Sequence, residues 1–254
     1  VAILLGKSPL TLFAGLGATS AVLMLVFKDT ITGLASGVRL TSNDMLHKGD
    51  WITVKSVDAN GIVEEMSLTT VKVRNFDNTI VTISPTTLVN GSFQNWIGMQ
   101  NSGGRRVKRL AYFDFRSIRL VDDLQKQKLI SKHLATEDSF KLKDSLQKAL
   151  EKDRQEGKDI EDLKNPAALA PTNLQLYRKF MEKYLRQRPE INTELTLMVR
   201  HLEATQCGLP IEFYFFIKDK VWVNYEHILA DIMEHAYALA NEFELKIYEQ
   251  YPEQ

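Results

Sequence analysis

From Ser8 to Phe27 the chain runs for 20 residues without a charge. A helix of that length reaches about 30 Å, the thickness of the hydrocarbon core of a bilayer. So long an uncharged run reads as a membrane-spanning helix. The charges favour lipid. Only four of the 64 charged residues (Lys7, Lys28, Asp29 and Arg39) fall in the first 40 positions. The whole chain, 254 residues at 44% hydrophobic and 25% charged, has otherwise the composition of a folded globular protein. Equal numbers of basic and acidic residues, 32 each, argue against a generic nucleic-acid binder, which needs excess Lys and Arg to displace counterions. A single cysteine, Cys207, excludes an internal disulfide framework.

Val1–Gly6 reads as the end of a preceding transmembrane helix, and Lys7-Ser8-Pro9 as the turn into the next. No basic lead or cleavage site precedes it, so the start does not read as a signal peptide. The expectation is the C-terminal part of a longer membrane protein. The next helix spans 9–42. It is rich in small residues: Ala14, Gly15, Gly17, Ala18, Ser20 and Ala21. Ala14 with Ala18, and Gly17 with Ala21, stand four apart, a spacing that lets helix backbones approach closely in lipid. Lys28-Asp29 ends the apolar run, since charges at membrane depth must be paired or hydrated. A bend is expected there, followed by a second small-residue pair at Gly33 and Gly37. A self-associating anchor would show the same pattern.

From Asn43 the pattern changes to short alternating strands. Trp51–Lys55, Ile62–Glu64, Leu68–Arg74 and Thr79–Ile83 are separated by turn signals at Asp58-Ala59-Asn60-Gly61 and Asp77-Asn78. Closely spaced strands of this kind predict a small all-β barrel over 43–96. An oligonucleotide-binding barrel would need a basic and aromatic groove, which is not evident. Residues 97–242 follow the order β-α-β-β-α-β, a ferredoxin-like α/β domain with a helical insertion at about 137–190. In that insertion Leu142, Leu146 and Leu150 share a helix face, and Gly157 and Pro166 interrupt it. Phe243, Leu245 and Ile247 predict a C-terminal strand and tail over 243–254. The fold class is therefore a membrane helix joined to α+β domains.

No nucleophile elbow, phosphate loop, dinucleotide fingerprint or paired-cysteine motif occurs, so no enzyme and no cofactor are implied. His227, Asp231 and His235 share a helix face. Eight residues span about 12 Å, too far for all three to hold one metal ion. Cys207 has no activating neighbour in sequence. Arg105-Arg106-Val107-Lys108-Arg109 is a basic cluster, read as a solvated strand end, a headgroup contact or an attractor of permeating anions.

The segment Phe27-Lys28-Asp29-Thr30-Ile31-Thr32-Gly33-Leu34-Ala35-Ser36-Gly37-Val38 is similar to the end of the pore helix in bacterial small-conductance mechanosensitive channels. Gly49-Asp50-Trp51-Ile52 and Gly61–Arg74 resemble the barrel signature of that family, and Asp77-Asn78 and Asn90-Gly91 continue it. The kink and insertion resemble the miniconductance subfamily. The resemblance implies a homoheptamer in the bacterial inner membrane. Membrane lipids and permeating ions and small solutes are the implied partners, and no nucleic acid. The large C-terminal domain would be cytoplasmic. Tension would tilt the helices apart and release solutes on hypo-osmotic shock. It also implies site roles. Leu25 and Ala21 take the two constricting positions, with Ala14, Gly17, Ala18 and Lys28 along the pore. Lys28, Asp29, Gly33 and Gly37 form the kink. Asp29 stands where the family commonly has glycine, and Ala21 where it has leucine. An oligomeric sensor or scaffold of channel-like architecture, recruiting a partner through its charged insertion, is the alternative.

Overall fold

The computed structural model describes residues 9–140, 152 and 170–250. Val1–Gly6 and the Leu142, Leu146, Leu150, Gly157 and Pro166 pattern lie outside the described residues. The chain divides into two units, Val1–Asn101 and Ser102–Gln254, five residues beyond the boundary expected at 96.

The first unit opens with α1 (Pro9–Ser42), one helix of 34 residues and about 50 Å. Five strands follow: β1 (Trp51–Val54), β2 (Ala59–Met66), β3 (Val71–Asn75), β4 (Ile80–Ile83) and β5 (Gln94–Asn95). The short helix α2 (Pro85–Asn90) precedes β5, and α3 (Ile97–Asn101) follows it. The strands form one antiparallel sheet in the order β4-β3-β2-β1-β5. Alternation in the sequence becomes burial: Ile52, Val54, Val63, Val71 and Val73 turn to one face and form a core with Leu40, Leu46, Ala59, Ile83 and Leu88. The expected barrel is not closed. Among the described residues β4 and β5 do not pair with each other, because α2 intervenes and β5 supplies only two residues.

The first turn also differs from the expectation. The reversal is a 3-10 turn over Lys55–Val57, ended by Asp58 at φ 52°. Gly61 instead lies within β2, opposite Ile52. Its glycine serves a close approach, since a Cβ there would sit 1.9 Å from the Arg74 carbonyl oxygen. The second turn falls where expected, with Asn78 at φ 70° and the Asn75 N–H donating to the Thr79 carbonyl at 2.9 Å.

The second unit contains β6 (Arg105–Phe113), α4 (Asp123–Ser131), α5 (Asn173–Gln187), β7 (Met198–His201), β8 (Leu209–Ile217) and α6 (Trp222–Ala240). The sheet is antiparallel in the order β6-β8-β7. Alternate residues Val107, Ala111, Phe113, Ile211, Phe213 and Phe215 pack on Leu174, Tyr177, Met181 and Leu185 of α5 and on Leu229, Ile232 and Ala236 of α6. Helix α5 falls inside the span expected to be an insertion, yet it is part of the core. The three- and four-residue spacing of its apolar positions provides the buried stripe. Thr172 caps it, its hydroxyl accepting from the Gln175 N–H at 3.1 Å. The expected C-terminal strand is reduced to one antiparallel bridge between Phe113 and Ile247. Before it, a 3-10 turn at Asn241–Phe243 ends at Glu244, φ 57°, and so takes up the residues a strand needs.

Candidate pore helix and its attachment to the sheet

Among the described residues, helix α1 is held at its C-terminal end. Ser36, Gly37 and Leu40 are buried in the first unit, whereas Ala14, Gly17, Ala18, Ala21, Leu25, Lys28 and Asp29 are all exposed. Leu25 is 72% exposed and Met24 73%. Side chains of that kind need lipid or other protein around them. Residues 13–42 form the one helix among the described residues that is long and apolar enough to cross a membrane.

Steps of four, three, four and three residues separate Ala14, Ala18, Ala21, Leu25 and Lys28. They therefore lie along one face of the helix. Gly17 lies at the edge of the same face, about 20° from the direction of Lys28. The helix is unbroken through Lys28-Asp29, Gly33 and Gly37, so the expected kink is not an interruption of the helix. Thr19 donates its hydroxyl to the Gly15 carbonyl at 2.8 Å and Thr41 to that of Gly37 at 3.1 Å, which satisfies both hydroxyls within the helix. Gly33 has open space where a Cβ would stand. Gly37 has none: a Cβ would lie 2.2 Å from the Leu68 backbone oxygen.

Leu68 belongs to the tight loop between β2 and β3. The Ser67 N–H donates to the Thr70 carbonyl at 2.8 Å, and the Ser67 hydroxyl accepts from the Thr70 N–H at 3.0 Å. This loop holds its backbone against α1 at Gly37. A second tie lies in the segment after the helix. Asp50, 6% exposed, accepts from the His47 N–H at 3.0 Å and from the Asn95 side-chain amide at 2.8 Å. The same Asn95 amide also donates to the Met45 carbonyl at 3.3 Å. Strand β5 thereby fastens the exit of the helix to the sheet. Sequence reasoning missed both ties. Asp50 stood in a recognisable motif, but its partner Asn95 lies 45 residues on and carried no sequence signal.

On the other face of the sheet Trp51 stacks on Trp96, with centroids 4.8 Å apart, and meets Phe76 edge-on. Glu65 and Lys72 form an ion pair across β2 and β3. The Lys72 hydrogen bond holds the Glu65 carboxyl below its ordinary range.

The remaining sequence candidates are dispersed through the second unit. Arg105 lies over the Tyr225 ring at 4.3 Å. Lys108 approaches Glu212 at 3.6 Å and Arg109 approaches Glu226 at 3.9 Å. The basic cluster is thus partly matched by acidic groups. Glu212 itself is fully buried and pairs with Arg200 at 2.7 Å, a feature no sequence signal indicated. His235 stacks on Tyr184 of α5, with ring centroids 4.6 Å apart. Cys207 is exposed in the turn between Thr205 and Gly208.

Residues 29–98 match the family described as mechanosensitive ion channel, beta-domain. The small-conductance mechanosensitive channel MscMJ of Methanocaldococcus jannaschii is 34% identical over 84 residues, covering 33% of this chain and 23% of that protein. An uncharacterized MscS family protein of Helicobacter pylori is 30% identical over 104 residues, 41% of this chain and 16% of its own length. The chain thus spans about a quarter or less of the curated relatives it matches. Among solved structures, Arabidopsis thaliana MSL1 superposes with a TM-score of 0.64 at 12% identity, covering 98% of this chain and 69% of that one. Helicobacter pylori MscS in its closed state gives 0.60 at 14%, covering 98% and 74%. These two likenesses concern the fold, and they extend over almost the whole chain. Over residues 29–98, this chain thus carries a beta-domain similar to that of mechanosensitive ion channels.

Proposed function

We propose that the chain supplies the pore helix and the adjoining domains of an ion channel opened by membrane tension. The observation that carries this reading is a long apolar helix, exposed along most of its length, whose base is fastened to the sheet at Gly37 and Asp50. Such a helix is unsatisfied alone. Several copies side by side, here read as seven, bury the small-residue face and enclose a path. Leu25 forms the narrow apolar ring that excludes water, and Ala21 a wider second ring. Ala14, Gly17 and Ala18 continue the lining, with Lys28 at the mouth. Tension favours the wider state because that state occupies more area in the plane of the bilayer. The attachment at Gly37 gives the helix a fixed base, so that tilt concentrates above it, around Lys28, Asp29 and Gly33.

The second unit is read as a ferredoxin-like domain whose fourth strand is the bridge at Ile247. The beta-domain and this unit then lie in the cytoplasm, and the helix in a bacterial inner membrane. Release of ions and small solutes on hypo-osmotic shock is the corresponding physiological role.

The test is patch-clamp recording from liposomes containing the full-length protein, under stepped suction. Stretch-activated steps absent from protein-free liposomes are expected. Silence up to the lytic tension, with intact oligomers in the same membranes, would overturn the channel reading in favour of an oligomeric scaffold.

A further inference from the structure

Lys28 and Asp29 pose a problem that one copy of the chain cannot solve. They are the only charges between Phe13 and Val38. Both are exposed on α1, and among the described residues neither has an ion-pair partner. Adjacent positions on a helix do not face each other, so the two cannot pair within one chain. Unpaired charges on an otherwise apolar membrane helix are costly.

The helical geometry offers a solution. Successive residues are rotated by about 100°. Lys28, three residues after Leu25, therefore projects about 60° to one side of the Leu25 direction. Asp29, four residues after it, projects about 40° to the other side. A helix that turns Leu25 to the centre of a ring thus presents its cation to one neighbour and its anion to the other. The sense is the same for every copy, as a head-to-tail cyclic interface requires. The two positions differ in height by only about 1.5 Å, so cyclic copies keep them level.

We propose that Lys28 of each copy pairs with Asp29 of the next, forming a closed girdle of ion pairs one turn below the Leu25 ring. The inference rests on the pore reading for the direction of Leu25 and adds to it a specific contact between copies. The girdle neutralises the charges at the pore mouth. It also holds neighbouring helices together in the narrow state, so that separating them breaks the pairs.

The test reads proximity without needing conduction. In full-length protein with the exposed Cys207 replaced by serine, Lys28→Cys and Asp29→Cys are made singly and together, and membranes are oxidised with copper phenanthroline. The doubly substituted protein is expected to give a ladder of disulfide-linked multimers, and each single variant none. Because adjacent residues on one helix cannot bond to each other across it, every disulfide in the ladder joins two copies. Oligomers intact by native mass spectrometry but without a ladder would overturn the girdle and leave the channel reading standing. Absence of oligomers would overturn both.

A second arm measures opening. Lys28→Asp and Asp29→Lys are each expected to lower the opening tension. The exchange Lys28→Asp with Asp29→Lys is expected to restore it. Opening tensions that simply add in the exchanged protein, with no restoration, would also overturn the pairing.

Discussion

At the scale of single residues, Leu25 and Glu212 show opposite uses of an awkward environment. Leu25 is apolar and exposed in the single chain, a side chain that calls for lipid or other protein around it. On the proposed pore reading, Leu25→Ser should hydrate the constriction and give channels that leak or open at lower tension. Stretch recordings compared with the unaltered protein check this, and an unchanged threshold and leak would remove Leu25 from the gate. Glu212 is charged and fully buried, with Arg200 across β7 and Lys108 across β6. Breaking such a set by removing one cation is worse than removing the charges altogether. Arg200→Ala should therefore destabilise the second unit by about 1–3 kcal/mol, because Lys108 remains as a partial partner. Glu212→Gln should cost less. Denaturant unfolding of the two variants in detergent decides between these outcomes. Glu190 adds a pH dependence. The Arg188 guanidinium holds its carboxyl below the ordinary range. The folded chain then binds fewer protons than the unfolded one. The stabilisation is complete above the ordinary carboxylate range near about pH 4–5 and is lost as the pH falls through the lowered value. Glu190→Gln should flatten the acid limb of the stability curve, measured as unfolding midpoint against pH.

At the scale of elements, the glycines decide how closely backbones meet. Gly61 sits where β2 and β3 touch, and Gly61→Ala forces a methyl group onto the Arg74 carbonyl. A loss of about 1–3 kcal/mol or more is expected for the first unit, read by chemical denaturation. Elements with a strong period were legible from the chain. The helix appeared as an uncharged run, and β1 and β3 appeared as alternation. The core of β6 and β8 was visible in Phe113, Phe213 and Phe215. What was not legible depended on partners distant in sequence. Gly61 looked like a turn residue because its reason is Arg74, thirteen residues on. The stripe of helix α5 was legible in Tyr177, Phe180, Met181 and Tyr184, but it looked like part of an insertion because the β6 and β8 residues that bury it are distant in sequence. The end of the chain alternated like a strand, but only Ile247 meets a pairing edge. The pairs Ala14/Ala18 and Gly17/Ala21 could be read from spacing alone, whereas the fixing of Gly37 by Leu68 could not.

At the scale of the whole molecule, the two units keep separate cores, one around Ile52 and Val63 and the other around Phe213 and Tyr177. Among the described residues none belongs to both. Unfolding of the detergent-solubilised protein should therefore proceed in two steps, and Gly61→Ala should lower only one of them. A single transition shifted as a whole by that substitution would contradict independent cores. The attachment of α1 has a consequence for how such a chain is made. Leu40 is fully buried among the residues of the sheet, so the last two turns of the membrane helix are also the first part of the domain core. A fragment starting after Ser42 would be cut inside a folding unit. During synthesis the sheet emerges from the ribosome after the helix, and it can close its core only when Leu40 stands clear of the lipid. With α1 in the membrane as proposed, completion of the sheet would act as a stop on how deeply the helix is seated.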